Sequence, residues 1–132
     1  MYDNVFRAGA IGTMELPHRI VMGAMHLNLE TRDDDGTALA AFYAERAGAA
    51  LIVTGGVAVN AAGVGGPGYA VIGDPRSRTA LAAAVRAVHD RRGRIALQLF
   101  HAGRYAKPED GGVHPVAPSP VHSSFNRCTP RK

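Results

Sequence analysis

The 132 residues, 46% hydrophobic and 20% charged, suffice for one modest domain with a core and are too apolar for a disordered chain. The formal charge of +4 rests almost wholly on arginine, since Lys107 and Lys132 are the only lysines, and it allows acidic partners, phosphorylated cofactors among them, without choosing one. The single cysteine, Cys128, excludes an internal disulfide and a thiolate metal cluster, and points to a reducing, cytoplasmic setting.

Met1 to Arg7 carries Asp3 and lacks a continuous apolar core, so it does not read as a signal peptide. Ile11 to Arg19, punctuated by Gly12 and Pro17, predicts a short hairpin, and residues 1–19 are expected to act as a hairpin lid. Ile20, Val21 and Met22 form an apolar run that predicts a first parallel strand, left by the turn Gly23-Ala24-Met25-His26. Asp33, Asp34 and Asp35 precede a helical pattern with Leu39, Tyr43 and Ala47 on one stripe, Phe42 beside it and Gly48 as the stop. Clustered carboxylates can bind a cation, but at a helix start they satisfy free amides and the dipole, which is the reading adopted.

Ala50 to Val53 predicts the second strand, followed by Thr54-Gly55-Gly56, where missing side chains admit a ligand or another backbone. The longest apolar stretch, Ala47 to Val59, is broken by Thr54 and three glycines and falls short of the ~20 residues that span a bilayer, so no membrane partner is expected. Gly63, Gly65 and Gly68 match the G-x-G-x-x-G dinucleotide pattern, but that motif must leave a strand directly and open a helix. Neither condition holds here, and the segment reads as a loop.

Asp74 and Pro75 predict a helix start, with Leu81, Ala84, Val85 and Val88 as its buried stripe. Arg86, Arg91 and Arg92 lie on or near its far side and at its end; without interleaved aromatic residues they read as a solvated face, and no nucleic-acid partner is expected. Ile95, Ala96, Leu97 and Leu99 predict a third strand, covered on both faces as in a parallel sheet. Gln98 interrupts it with an amide that, if buried, needs a partner in the fold or in a ligand. His101, Gly103 and Arg104 follow at the carboxyl end, where α/β folds bind ligands. Residues 105–132, with Gly111, Gly112, Pro108, Pro115, Pro118 and Pro120, predict an irregular tail, and His114 and His122 lack metal-site spacing.

The alternation of strand and helix points to parallel α/β architecture. Several segments then occur in one order: Leu-Pro-His-Arg-Ile-Val-Met-Gly-Ala-Met-His (16–26), Phe-Tyr-Ala-Glu-Arg-Ala (42–47), Leu-Ile-Val-Thr-Gly-Gly (51–56), Val88-His89 and Gln-Leu-Phe-His-Ala-Gly-Arg (98–104). This series resembles the old yellow enzyme family, the NADH:flavin oxidoreductases, over Phe6 to Arg127; Met-Gly-Ala-Met-His and the Phe-Tyr-Ala-Glu-Arg-Ala helix are most similar to its 2,4-dienoyl-CoA reductase branch. The resemblance implies a partial FMN-binding domain over 1–132, the amino-terminal three βα units of a TIM (β/α)8 barrel after a short hairpin. It implies FMN held by the backbone of Ala24 and Met25, the side chain of His26, the bare backbone of Gly56 and the amide of Gln98, with His101 and Arg104 shaping the substrate-side loop.

The reaction implied is hydride transfer from NADH or NADPH through flavin to an activated carbon–carbon double bond of a small molecule such as a 2,4-dienoyl-CoA. Catalytic residues are expected on later strands and none in this segment, which also carries no iron–sulfur ligands. The fragment alone is then expected to be inactive unless a carboxyl-terminal half complements it. The alternative is a non-catalytic remnant, or an oligomerising half barrel, self-associating through unpaired strand edges. One departure is His18, where the family usually has Asn.

Overall fold

The computed structural model describes residues 2–32, 34–107 and 113–132. Strands β1 (Gly9–Ile11) and β2 (Met14–Leu16) form the expected antiparallel hairpin. Its turn depends on Gly12, whose φ of 58° lies in the left-handed region that costs glycine nothing. Met14 and Leu16 pack against Ala50, Leu51 and Val53, so the hairpin covers the amino end of the sheet.

That sheet is parallel, in the order β3 (Val21–Met22), β4 (Leu51–Ala58), β5 (Ile95–Phe100). Helices α1 (Thr37–Ala44) and α2 (Pro75–His89) connect the strands. Leu39, Tyr43, Ile52, Val57, Ala80, Leu81, Ala84 and Val88 form the main core, which takes in three members of the expected α2 stripe, while the fourth, Val85, is half-buried and lies outside it. Arg86, Arg91 and Arg92 face solvent, as the solvated-face reading requires. Among the described residues no helix is long and apolar enough to cross a membrane.

Local capping follows the sequence closely. Asp74 accepts a hydrogen bond from the Ser77 amide at 2.7 Å, directly before Pro75, and that bond lowers its pKa below the ordinary 3.8. Asp34 accepts from the Gly36 and Ala38 amides at 3.1 and 3.2 Å, so this carboxylate caps α1; Asp33 lies outside the described residues. His18 replaces an amide with an equivalent device. Its Nδ1 accepts from the Ile20 amide at 3.2 Å, which leaves the proton on Nε2 to donate to the Gly48 carbonyl at 2.9 Å.

Three expectations fail in part. Helix α1 stops at Ala44 rather than Gly48, because the Arg46 and Ala47 amides turn back to Tyr43 and Ala44 in tighter i to i−3 bonds. Strand β4 does not end at Val53 but runs through Gly55 and Gly56 to Ala58. Its register shifts between Val53 and Gly56, and the Thr54 hydroxyl fills the gap, accepting from the backbone N–H of Gln98 at 3.1 Å and donating to the Gly55 carbonyl at 2.9 Å. Strand β5 is not buried on both faces: Leu97 and Leu99 are 41% and 55% exposed, because β5 is the edge of the sheet and no described element lies over that part of it.

The tail is irregular yet tethered. The Asn126 amide donates to the Arg104 and Ala106 carbonyls at 2.7 and 2.8 Å, and Val116 bridges to Arg131. Residues 108–112, including Pro108, Gly111 and Gly112, lie outside the described residues.

Candidate functional site

All three carboxyl ends of a parallel sheet share one edge, and two direct contacts bring the singled-out residues together there. Gly56 pairs with Gln98 in the β4–β5 register. The turn leaving β3 crosses β4 so closely that a Cβ on Gly55 would stand 2.5 Å from the Met25 carbonyl oxygen. Ala24, Met25, His26, Gly56 and Gln98 are therefore neighbours on one edge.

Each has a distinct environment. Ala24 and Met25 are exposed, Met25 by 47%. Gly56 lies under the Phe100 ring, which occupies the space at 3.0 Å from a would-be Cβ. Ile95 packs into the helix-side core, so by strand alternation Gln98 and Phe100 point to the opposite face, the one Gly56 shares. The Gln98 side chain is exposed and has no hydrogen-bond partner among the described residues; of the two expected sources of a partner, the fold or a ligand, the described fold supplies none. The reason is again its edge position.

His26 is the most engaged of the five. Its ring stacks on Tyr69 with centroids 3.9 Å apart and planes 14° from parallel. Nε2 faces the Pro67 carbonyl at 3.4 Å, and Nδ1, buried and without a hydrogen bond, faces Glu30 Oε1 at 3.9 Å. Glu30 is only 3% exposed and accepts from the Leu27 and Leu29 amides at 3.3 and 2.9 Å, which folds the turn around its carboxylate.

Beneath it, the Tyr43 hydroxyl accepts from the Gly55 amide at 3.1 Å and so satisfies a buried donor in the disturbed part of β4. Burial pushes the Tyr43 phenol above its ordinary 10.0; the Gly55 hydrogen bond pulls the other way, and the Glu30 carboxylate adds to the rise.

His101 and Arg104 stand apart from this group. His101 accepts from the Gly103 amide at 3.0 Å through Nδ1 and rests against Gly63. Arg104 is turned toward the tail: its carbonyl takes the Asn126 amide, its guanidinium lies 5.8 Å from the Tyr105 ring, and its Nε is buried without a partner. Sequence reasoning missed Glu30, the Tyr43 hydroxyl, Tyr69 and Phe100. Only Tyr69 carried a readable signal, as the one aromatic residue closing a glycine-rich loop.

The sequence model of the NADH:flavin oxidoreductase / NADH oxidase family matches residues 4–129. The chain belongs to this family. It is 37% identical over 128 residues to a metal reductase of Desulforamulus reducens, an alignment covering 96% of this chain and 19% of that protein. It is 34% identical over 136 residues to an NADH oxidase of Thermoanaerobacter brockii, covering 99% and 21%. Among solved structures, an old yellow enzyme homologue from Zymomonas mobilis is 30% identical with a TM-score of 0.79, covering 98% of this chain and 38% of that one. Morphinone reductase in complex with tetrahydroNAD is 28% identical with a TM-score of 0.82, covering 92% and 34%. The chain thus spans about a fifth of the curated relatives' length, and its three parallel strands are part of the TIM barrel of old yellow enzymes.

Proposed function

We propose that this chain forms the opening part of the FMN site in an NAD(P)H-dependent oxidoreductase of ene-reductase type, with Ala24, Met25, His26, Gly56 and Gln98 on the flavin. The observation that carries the reading is the free Gln98 amide, on the same face as Gly56 and beside the exposed Ala24–Met25 backbone. These groups fit the ring. An unpartnered primary amide both donates and accepts, as the edge of a flat imide requires, and the missing side chains of Gly55 and Gly56 let the Met25 carbonyl and the Phe100 ring close down on β4.

The chemistry FMN supplies when bound is hydride transfer from a reduced nicotinamide, NADH or NADPH, to an activated carbon–carbon double bond. This chain's residues bind and orient. Gln98 fixes the ring's rotation through paired hydrogen bonds, and the Ala24–Met25 backbone lines the neighbouring edge. His26, with Glu30 behind it, sets the polarity there, while His101 and Arg104 shape the loop on the substrate side. No residue here is assigned the second proton; that role is expected on later strands. The Met-Gly-Ala-Met-His turn favours a small-molecule substrate of the 2,4-dienoyl-CoA kind.

Residues 1–132 would act as a partial barrel, with the 1–19 segment as its amino-end lid and activity requiring a carboxyl-terminal half, in the same or a second polypeptide. A titration of FMN into the purified protein, alone and with such a half, tests the reading: a saturable, shifted flavin spectrum is expected, and an unperturbed spectrum under both conditions would refute it. A second reading, a non-catalytic half barrel that self-associates, is favoured by the exposure of Val21 on one edge strand and Leu97 and Leu99 on the other, at 43%, 41% and 55%. A monodisperse monomer by light scattering counts against it.

A further inference from the structure

We propose that Tyr69 is a positioning residue that ties the β3 end of the candidate site, through His26, to its β5 end, through Phe100; the proposal rests on the flavin reading above. The Tyr69 ring lies 3.9 Å from His26 at 14° and 5.1 Å from Phe100 at 36°, so three rings from three separate segments form one continuous pile across the carboxyl edge. Phe100 in turn covers Gly56 of β4. One pile therefore touches β4, β5 and the turn that leaves β3.

The glycine loop is shaped for this pile. A Cβ on Gly65 would stand 3.4 Å from the Phe100 ring and 3.5 Å from the Tyr69 ring, and one on Gly68, at φ +76°, would stand 2.8 Å from Asn28 Oδ1 and 3.6 Å from His26 Nε2. Of the glycines that mimic a dinucleotide motif, Gly65 thus leaves room for the Tyr69 and Phe100 rings and Gly68 leaves room beside His26. Ala24 and Met25 lie beyond the end of the β3 ladder, with the Met25 carbonyl close against Gly55 on one side and His26 next in the chain on the other. His26 is covered on one ring face by Tyr69, while its Nδ1 faces Glu30 Oε1 3.9 Å away. Aromatic pairs in such offset or tilted arrangements are directional, which a merely apolar contact is not.

Two variants test this in the chain itself. Tyr69→Phe keeps the ring, and Tyr69→Leu keeps apolar bulk without it. In the flavin-free protein, the carbon-bound protons of His26 should show upfield ring-current shifts by NMR in wild type and Y69F, and lose them in Y69L. FMN affinity should be unchanged in Y69F and about tenfold weaker in Y69L, the factor that about 1.4 kcal/mol represents. His26 shifts that ignore the Leu substitution, or equal FMN affinity in wild type and Y69L, would overturn the proposal. A wild-type chain that binds no FMN, either alone or with a carboxyl-terminal half, yet shows Tyr69-dependent His26 shifts, would refute the flavin reading and support the clamp.

Discussion

In β4, Ile52 and Val57 are fully inaccessible beneath α1 and α2, whereas in β5, an equally apolar run of strand length, Leu97 and Leu99 are 41% and 55% exposed. The two strands are neighbours in register, Ile52 against Ile95 and Val57 against Leu99, so local composition cannot be what separates them. What separates them is the next layer. β4 is paired on both sides and roofed by helices; β5 is paired on one side, and only Ile95 reaches the core. An apolar strand reports the neighbour its sequence is suited to, and its exposure reports whether that neighbour is there. The same edge position leaves the Gln98 amide without a partner, the feature on which the proposed site depends.

Substitutions that exploit this contrast should separate the strands clearly. Ile52→Ala, deleting a fully buried side chain under two helices, should cost about 2–5 kcal/mol in urea unfolding. Comparable losses from Leu97→Ala would break the comparison.

Tyr43→Phe should cost about 1–3 kcal/mol, because the buried Gly55 amide would lose the Tyr43 hydroxyl as its acceptor. It should also change the alkaline limb. With the folded phenol raised above 10.0, its contribution is fully present below that value and is lost as pH rises through the higher folded value, so the variant should lack that loss. Unfolding midpoints measured from neutral to strongly alkaline pH check it.

Asp74→Ala should shift the thermal midpoint less than Tyr43→Phe and act at the opposite extreme of pH. Its carboxyl is lowered below 3.8 by the Ser77 bonds, so its stabilisation is present above that value and disappears as pH falls through the lower folded one. Acid titrations of wild type and D74A followed by circular dichroism should converge at low pH. Smallest of all, Leu99→Ser should change stability by less than about 0.5 kcal/mol, while light scattering reports less self-association if the uncovered edge is sticky.

The contrast also marks what the sequence could reveal. Asp74-Pro75 and the Leu81, Ala84, Val88 stripe announce α2 because capping and periodicity are local properties. The reach of β4 is invisible because Gly55 and Gly56 read as a stop, yet they extend the strand by letting Met25 and Phe100 crowd against it. Ala24, Met25, His26, Gly56 and Gln98 were singled out through resemblance; the β4–β5 register and the close approach of Met25 to Gly55 bring them to one edge, and their place on the flavin is a proposal. Glu30 and the Tyr43 hydroxyl were not singled out, because each acts through backbone amides that no pattern of residue types encodes, and Tyr69, though marked as the aromatic residue closing a glycine-rich loop, acts through partners distant in sequence.

The central claim, that the exposed groups at the ends of β3, β4 and β5 receive one flat flavin ring, is tested most directly by titrating FMN into the 15N-labelled chain and mapping the shifted signals. The account predicts saturable changes at the Ala24, Met25 and Gly56 amides and at the Gln98 side-chain amide, with the outer face of α2 silent. Changes confined to the tail, or to the arginines of α2, would contradict it.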